Sequence, residues 1–215
     1  QGGELSGTID NVIRDVLTKF STLHFVATDK SAQNLINYGI SEKSVYNFGC
    51  PAVEYISQLP SGGKFNPQKL SKKFKKSINI TEDEKFLLIM VHPDTTNQND
   101  VSMGKILEVV SRFKIKAFIF YPNIDANNTD IVASIASHNY NENFYMVRHM
   151  PLEDYIYVMS HCACLIGNTS SGIRESASFG VPFINVGQRQ IGRERNKNTI
   201  DIGENYSLLE EQIMK

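Results

Sequence analysis

From residue 86 onward the chain alternates two hydrophobic patterns. Short, continuous apolar runs occupy residues 86–92, 116–121, 144–147, 164–166 and 183–186. Runs of this length, apolar on both faces, are expected for strands buried on both sides of a parallel sheet. Between them lie segments with helical spacing. Met103, Ile106, Val109, Val110 and Phe113 share one face of a helix expected over residues 100–113. Further helices are expected over residues 130–137, 152–159 and 171–179, and residues 183–186 close the series. This rhythm predicts an α/β fold whose parallel sheet is covered by helices on both faces.

The first sixty residues carry the same alternation in shorter form. Residues 9–20 have helical spacing, with Val12, Ile13, Val16 and Leu17 expected to point inward. A strand is expected at 24–27. A helix follows at 29–38, with Thr28 or Asp29 as its N-cap and Gly39 as its stop. A second strand is expected at 45–48, then a sharp turn at Gly49-Cys-Pro51 into another helix. Residues 59–80 break the pattern: Pro60-Ser-Gly-Gly63 is followed by Lys69, Lys72, Lys73, Lys75 and Lys76. Beyond Phe74 these lysines lack the interleaved aromatics of a nucleic-acid surface, and they read as a solvated helix face beside a domain junction.

Charge narrows the partners. A formal net charge of −1 gives no general attraction to nucleic acid or an anionic membrane, so an anionic ligand must be held by local dipoles and a few cations. No apolar run approaches the roughly 20 residues needed to span a bilayer. Cys50, Cys162 and Cys164 form no disulfide framework; together with the absence of a visible signal peptide they point to the cytoplasm. Cys162 and Cys164 sit in an apolar run without a second ligand pair, so they read as buried small residues and no metal site is expected.

The chemistry concentrates where strands end. In Leu165-Ile-Gly-Asn-Thr-Ser-Ser-Gly-Ile-Arg-Glu175 an apolar strand runs into a turn of small polar residues and then a helix near Ser171. Small residues let a ligand approach the backbone, and free N–H groups and hydroxyls at such a turn suit a pyrophosphate. A plain helix cap at Thr169 or Ser170 fits the same residues. Glu175, in the following helix, suits ribose hydroxyls better than phosphate. The loop Val186-Gly-Gln-Arg-Gln-Ile-Gly-Arg-Glu194 offers Arg189 and Arg193 as fork donors to an anion. His92 ends a strand just before Pro93, a position suited to acid–base work, although taken alone such a histidine is more often structural. His149 holds the equivalent position after a later strand. Asp10 follows a glycine-rich stretch at a helix start, either as a cleft carboxylate or as a capping acid.

Taken in order, Gly2-Gly-Glu-Leu-Ser-Gly-Thr-Ile-Asp10, His24-Phe-Val-Ala-Thr28, Gly49-Cys-Pro51, Val91-His-Pro-Asp-Thr-Thr96, Phe120-Tyr-Pro-Asn-Ile-Asp125, the 165–175 segment and Pro182-Phe-Ile-Asn-Val-Gly-Gln-Arg-Gln-Ile-Gly-Arg-Glu194 resemble the hydrolysing UDP-N-acetylglucosamine 2-epimerases of sialic-acid pathways. The resemblance implies a Rossmann-like domain of a GT-B-like two-domain enzyme, accompanied by a remnant of the first domain. On that reading residues 1–60 end the first domain and cross over, 61–80 form the linker, and 81–215 form the UDP-binding domain. The implied reaction eliminates UDP to a 2-acetamidoglycal and adds water to give N-acetylmannosamine or a close relative. A non-hydrolysing epimerase and a GT-B glycosyltransferase are the alternatives. Asp10 and His92 match catalytic positions of the family. Thr169, Ser170, Glu175, Arg189 and His149 match UDP contacts, and Asn168, Ser171 and Gly172 complete the cradle. Gln1 stands where familiar members carry a catalytic glutamate; it keeps hydrogen bonding but cannot exchange a proton. No cofactor is expected. The expected partners are a UDP-sugar and, in the full-length protein, further copies in a dimer or tetramer. By itself the chain is expected to be inactive, lacking half of the active site.

Overall fold

The computed structural model describes residues 10–59, 63–70, 78–93, 101–123 and 127–215. Helix α1 (Asp10–Phe20) leads into strand β1 (His24–Val26), helix α2 (Asp29–Asn37), strand β2 (Val45–Asn47) and helix α3 (Pro51–Ser57). β1 and β2 pair in parallel, with His24 opposite Val45. Thr28 caps α2, its hydroxyl accepting from the Ser31 N–H at 3.1 Å, and Gly39 ends it at φ +87°, where a side chain would be strained.

The expectation that Val12, Ile13, Val16 and Leu17 point inward is corrected. All four are 51–65% exposed. α1 leans on its neighbours through its other side: Thr18 is buried, and the Lys19 ammonium donates to the Tyr38 carbonyl at 2.9 Å while lying over the Tyr38 ring. Helical periodicity establishes that a stripe is apolar; it does not say which face docks.

The larger sheet comprises β3 (Phe86–Met90), β4 (Lys116–Phe120), β5 (Phe144–Val147), β6 (Cys164–Gly167), β7 (Phe183–Val186) and β8 (Thr199–Gly203). All are parallel, in the order β5-β4-β3-β6-β7-β8. Helices α4 (Met103–Arg112), α5 (Thr129–Ser137), α6 (Leu152–His161) and α7 (Glu175–Ser178) connect successive strands, and α8 (Tyr206–Ile213) follows β8. The two-residue period of β3 divides the core. Leu87 and Ile89 face α4, α5 and α8, whereas Phe86 and Leu88 face α6 and the segment carrying Phe65 and Leu70. Phe65 and Leu70, within the expected linker, are therefore part of the buried interior.

Two further expectations are revised. The helix expected over 171–179 is a short 3-10 turn, Ser170–Gly172, followed by the four-residue α7. This turn is pressed onto β7: a Cβ on Gly172 would stand 2.4 Å from the Phe183 ring. The series also does not close at 183–186: it continues through β8 and α8. β8 is an edge strand with only Ile202 buried, so it lacks the continuous apolar run of its neighbours. α8 is capped by Asn205, whose side-chain oxygen accepts from the Leu208 N–H at 3.0 Å.

Candidate functional site

The strand order reverses direction of progression between β3 and β6. In an open parallel sheet the helices on either side of such a point diverge, leaving a crevice beyond the strand ends. The chain places its polar turn there. Gly167, the last residue of β6, has φ +140°, and a Cβ on it would lie 1.9 Å from the Met90 carbonyl oxygen. Only glycine lets β6 close against β3 at this level. The next residue donates its N–H to the Met90 carbonyl at 3.2 Å, and beyond it the chain turns out of the sheet.

His92, Asn168, Thr169, Ser170, Ser171, Gly172, Glu175 and Arg189 are brought together around this crevice. His92 is 8% exposed, one residue past β3 and its neighbour Val91. Asn168 is buried, its carboxamide bonded to the His92 main chain and its own carbonyl accepting from Arg189 Nη1 at 3.3 Å and Gln190 Nε2 at 2.7 Å. The buried Thr169 caps the turn, accepting from the Ser171 N–H at 3.3 Å. Ser170 accepts from Arg174 Nη2 at 3.3 Å. Glu175 keeps one carboxylate oxygen 3.6 Å from Arg174. Its other oxygen, Oε2, is buried and accepts no hydrogen bond from the described residues. A beckoning acceptor of that kind is costly unless a donor from a ligand reaches it.

Positive charge accumulates at the same spot. The Arg193 guanidinium is held down to about 10, first by burial and then by Arg174, Arg14 and Arg189, with Glu175 acting in the opposite sense. A shift of that direction reports first the burial of the charge and then its like-charged neighbours; a bound anion would offset both. Arg14 lies on α1, one turn after Asp10, so that helix faces the cluster. The loop bearing Arg189 and Arg193 is tied to the N-terminal unit as well: the Thr28 hydroxyl donates to Glu194 at 2.5 Å.

Sequence reasoning missed Tyr155, Arg174 and Arg14. The Tyr155 hydroxyl, projecting from α6, donates to the Met90 thioether at 3.4 Å and is hydrogen-bonded to Ser171. Burial pushes its phenol up, so it stays a neutral donor beside the cradle. No local motif marks it; only the packing of α6 brings it there. Arg174 lies inside the 165–175 segment, but no spacing in that segment distinguishes it from a surface arginine. His92 also lines a cavity of about 410 Å³, together with Ser102, Thr129, Asp130 and Ser134 among others.

Not every expected residue converges. His149 follows β5, two strands away from β3, and is exposed. Gln1 lies outside the described residues, as do Lys72, Lys73, Lys75 and Lys76; Asp10 is placed as the first residue of α1, with its side chain outside the description. Cys162 is buried and Cys164 half-buried, and burial raises both thiols, Cys164 to about 12, which makes them poor nucleophiles. Among the described residues no helix is long and apolar enough to cross a membrane.

The family model described as UDP-N-acetylglucosamine 2-epimerase matches residues 1–215. The chain belongs to this family. Among relatives within or beside the family, the UDP-N,N'-diacetylbacillosamine 2-epimerase (hydrolyzing) of Legionella pneumophila is 29% identical over 210 residues, covering 97% of this chain and 54% of the relative. The GDP/UDP-N,N'-diacetylbacillosamine 2-epimerase (hydrolyzing) of Campylobacter jejuni is 33% identical over 207 residues, covering 93% and 52%. The chain thus spans about half the length of these relatives. The crystal structure of UDP-GlcNAc 2-epimerase from Neisseria meningitidis bound to UDP-GlcNAc superposes on 97% of the chain and 57% of its own, with a TM-score of 0.73 and 17% identity. The fold is therefore the one expected for this epimerase family: α/β, with a Rossmann-like parallel sheet of the GT-B-like type.

Proposed function

We propose that this chain forms the nucleotide-holding part of a hydrolysing 2-epimerase acting on UDP-N-acetylglucosamine or on a modified UDP-N-acetylhexosamine such as UDP-N,N'-diacetylbacillosamine. The observation that carries the reading is the pairing at the switch point of a crowded arginine cluster with the orphaned Glu175 Oε2. The cations suit a pyrophosphate, which small residues at Thr169, Ser170, Ser171 and Gly172 leave room to approach. The bare carboxylate oxygen suits the hydroxyl of a ribose. His92 stands at the rim, and Asp10 begins the helix whose Arg14 faces the cluster. By family resemblance these two exchange protons with the sugar: the C2 proton leaves as the C1–O bond to UDP breaks, then the water oxygen adds to C1 of the resulting glycal while a proton is returned to C2 on the face opposite the one it left, which inverts C2. His149 is assigned to the nucleotide end on resemblance alone. Gln1 is assigned a hydrogen-bonding role toward the sugar.

The names of the Legionella and Campylobacter relatives support the hydrolysing outcome and a diacetylated sugar as one candidate substrate. The test is incubation of the full-length protein with each UDP-sugar in heavy-oxygen water. Free 2-epimerised sugar carrying the label, together with an equal amount of UDP, is the expected result. Return of an epimerised UDP-sugar without label would make the enzyme non-hydrolysing, and transfer of the sugar to an acceptor would make it a glycosyltransferase.

A further inference from the structure

The main-chain ladder between β3 and β6 ends at the Met90 carbonyl. Two residues later His92 is nevertheless held from two sides. Its N–H donates to Asn168 Oδ1 at 2.7 Å, and its carbonyl accepts from Asn168 Nδ2 at 2.8 Å. A carboxamide presents one donor and one acceptor in a plane, as a peptide group does. Asn168 therefore extends the ladder by one pairing after its own backbone has turned away. Asn168 is 2% exposed, so its amide is engaged inside the protein by the main chain of His92.

Asn168 is itself fixed from behind. Gln190, fully buried, donates Nε2 to the Asn168 carbonyl at 2.7 Å. The Gln190 carbonyl accepts from Arg195 Nη1 at 2.8 Å, and Arg195 grips Asp201 of β8 through Nε at 2.6 Å and Nη2 at 3.1 Å. Asn185 of β7 donates to the same carboxylate at 2.6 Å. The loop that carries Arg189 and Arg193 is thus anchored on β7 and β8 and reaches forward to the main chain of Asn168, whose side chain holds His92.

We propose that Asn168 is a positioning residue, whose carboxamide sets the main chain of His92 for proton transfer, and that Gln190 sets Asn168. The inference rests on the functional reading above for the role of His92, but the clamp itself does not. Misplacing a reacting group by about 1 Å costs up to about a hundredfold in rate. The Asn168 amide accordingly acts on turnover and leaves nucleotide affinity to its hydroxyl and arginine neighbours.

Two measurements on the full-length protein test this. Hydrogen–deuterium exchange reads the His92 amide directly. In Asn168→Ala it is expected to exchange at least about tenfold faster, with the amides of residues 86–90 unchanged. Asn168→Asp, which keeps the acceptor for that N–H, is expected to fall between. Gln190→Met, which keeps the Asn168 amide and fills the same space, covers the case in which Asn168→Ala fails to fold, and should loosen His92 in the same direction. In steady-state kinetics each variant should lower kcat, by about tenfold or more for Asn168→Ala, with the dissociation constant for UDP held within about twofold. Unchanged exchange at His92 would overturn the clamp. Faster exchange with unchanged kcat would overturn its role in positioning, and a loss of UDP affinity matching the loss of kcat would make Asn168 a nucleotide contact instead. If the wild-type protein epimerises no UDP-sugar, the functional reading falls, and the role assigned to His92 falls with it, while the exchange arm still decides the clamp.

Discussion

The six-stranded unit and the N-terminal β1–β2 unit are built from the same parallel β–α pattern, yet they treat their apolar residues in opposite ways. In β3, Phe86, Leu87, Leu88 and Ile89 are at most 2% exposed, enclosed by a helical layer on each face. In the N-terminal unit the rings of Phe25, Tyr46 and Phe48 stack at 5.8–6.0 Å along an open face, with Phe48 73% exposed, and the apolar stripe of α1 is open as well. A two-stranded parallel sheet has too little area to bury both faces by itself. An apolar pattern thus records that a surface is built for cover; whether cover is present depends on neighbours that the pattern does not name. The candidate cluster takes its place where the well-covered sheet meets the sparsely covered unit, joined by Thr28–Glu194 and by Arg14 facing Arg193.

This contrast is sharpened first at the crevice. His92→Ala in the full-length protein should lower kcat by about 10²–10⁴, the range for losing a positioned proton-transfer group, with little change in UDP affinity. A variant with near-normal kcat would make His92 structural and leave the crevice without its reacting group. Next in size is the core. Leu88→Ala should destabilise by about 2–5 kcal/mol in chemical denaturation, because its site is closed on all sides. A loss near zero would remove the distinction between the two units.

Much of this architecture was legible in the sequence, and the exceptions have physical reasons. Strands β3 to β7 announced themselves because a strand buried on both faces needs an uninterrupted apolar run. β8 pairs on one edge only, so it carries no such run and passed unseen. The cradle was located by its small residues, but its local form was not: Gly172 packs under Phe183 and the turn tightens to 3-10, a consequence of long-range packing. Glu175 and Arg189 came from chain-local motifs. Tyr155 and the amide of Asn168 act across 65 to 76 positions of sequence, and no spacing rule reaches that far.

Smaller effects probe the edges of the two units. Burial favours the neutral acid at Asp201, but the hydrogen bonds from Arg195 and Asn185 outweigh it and hold the carboxyl below its ordinary range. A carboxylate depressed in the folded state contributes stability above its unfolded pKa and loses it as pH falls through the folded value. Asp201→Asn should therefore cost up to about 1 kcal/mol near neutral pH, the group being partly exposed, and progressively less below about pH 4. A cost independent of pH would show that the ion pair contributes nothing through its charge. Smallest of all, Val16→Ser should change the stability of the 215-residue chain by less than about 0.5 kcal/mol, since its side chain is already half in water. A loss as large as that of Leu88→Ala would mean the α1 stripe is covered after all.

The central claim is that a UDP-sugar is held beyond β6, with phosphate on the Thr169–Ser171 turn and the arginine loop. Calorimetric titration of UDP into the full-length protein tests it most directly. The account predicts that Ser170→Ala weakens binding several-fold, on the order of 1 kcal/mol, and that Arg189→Ala weakens it by about tenfold or more. UDP affinity unchanged in both variants would contradict it.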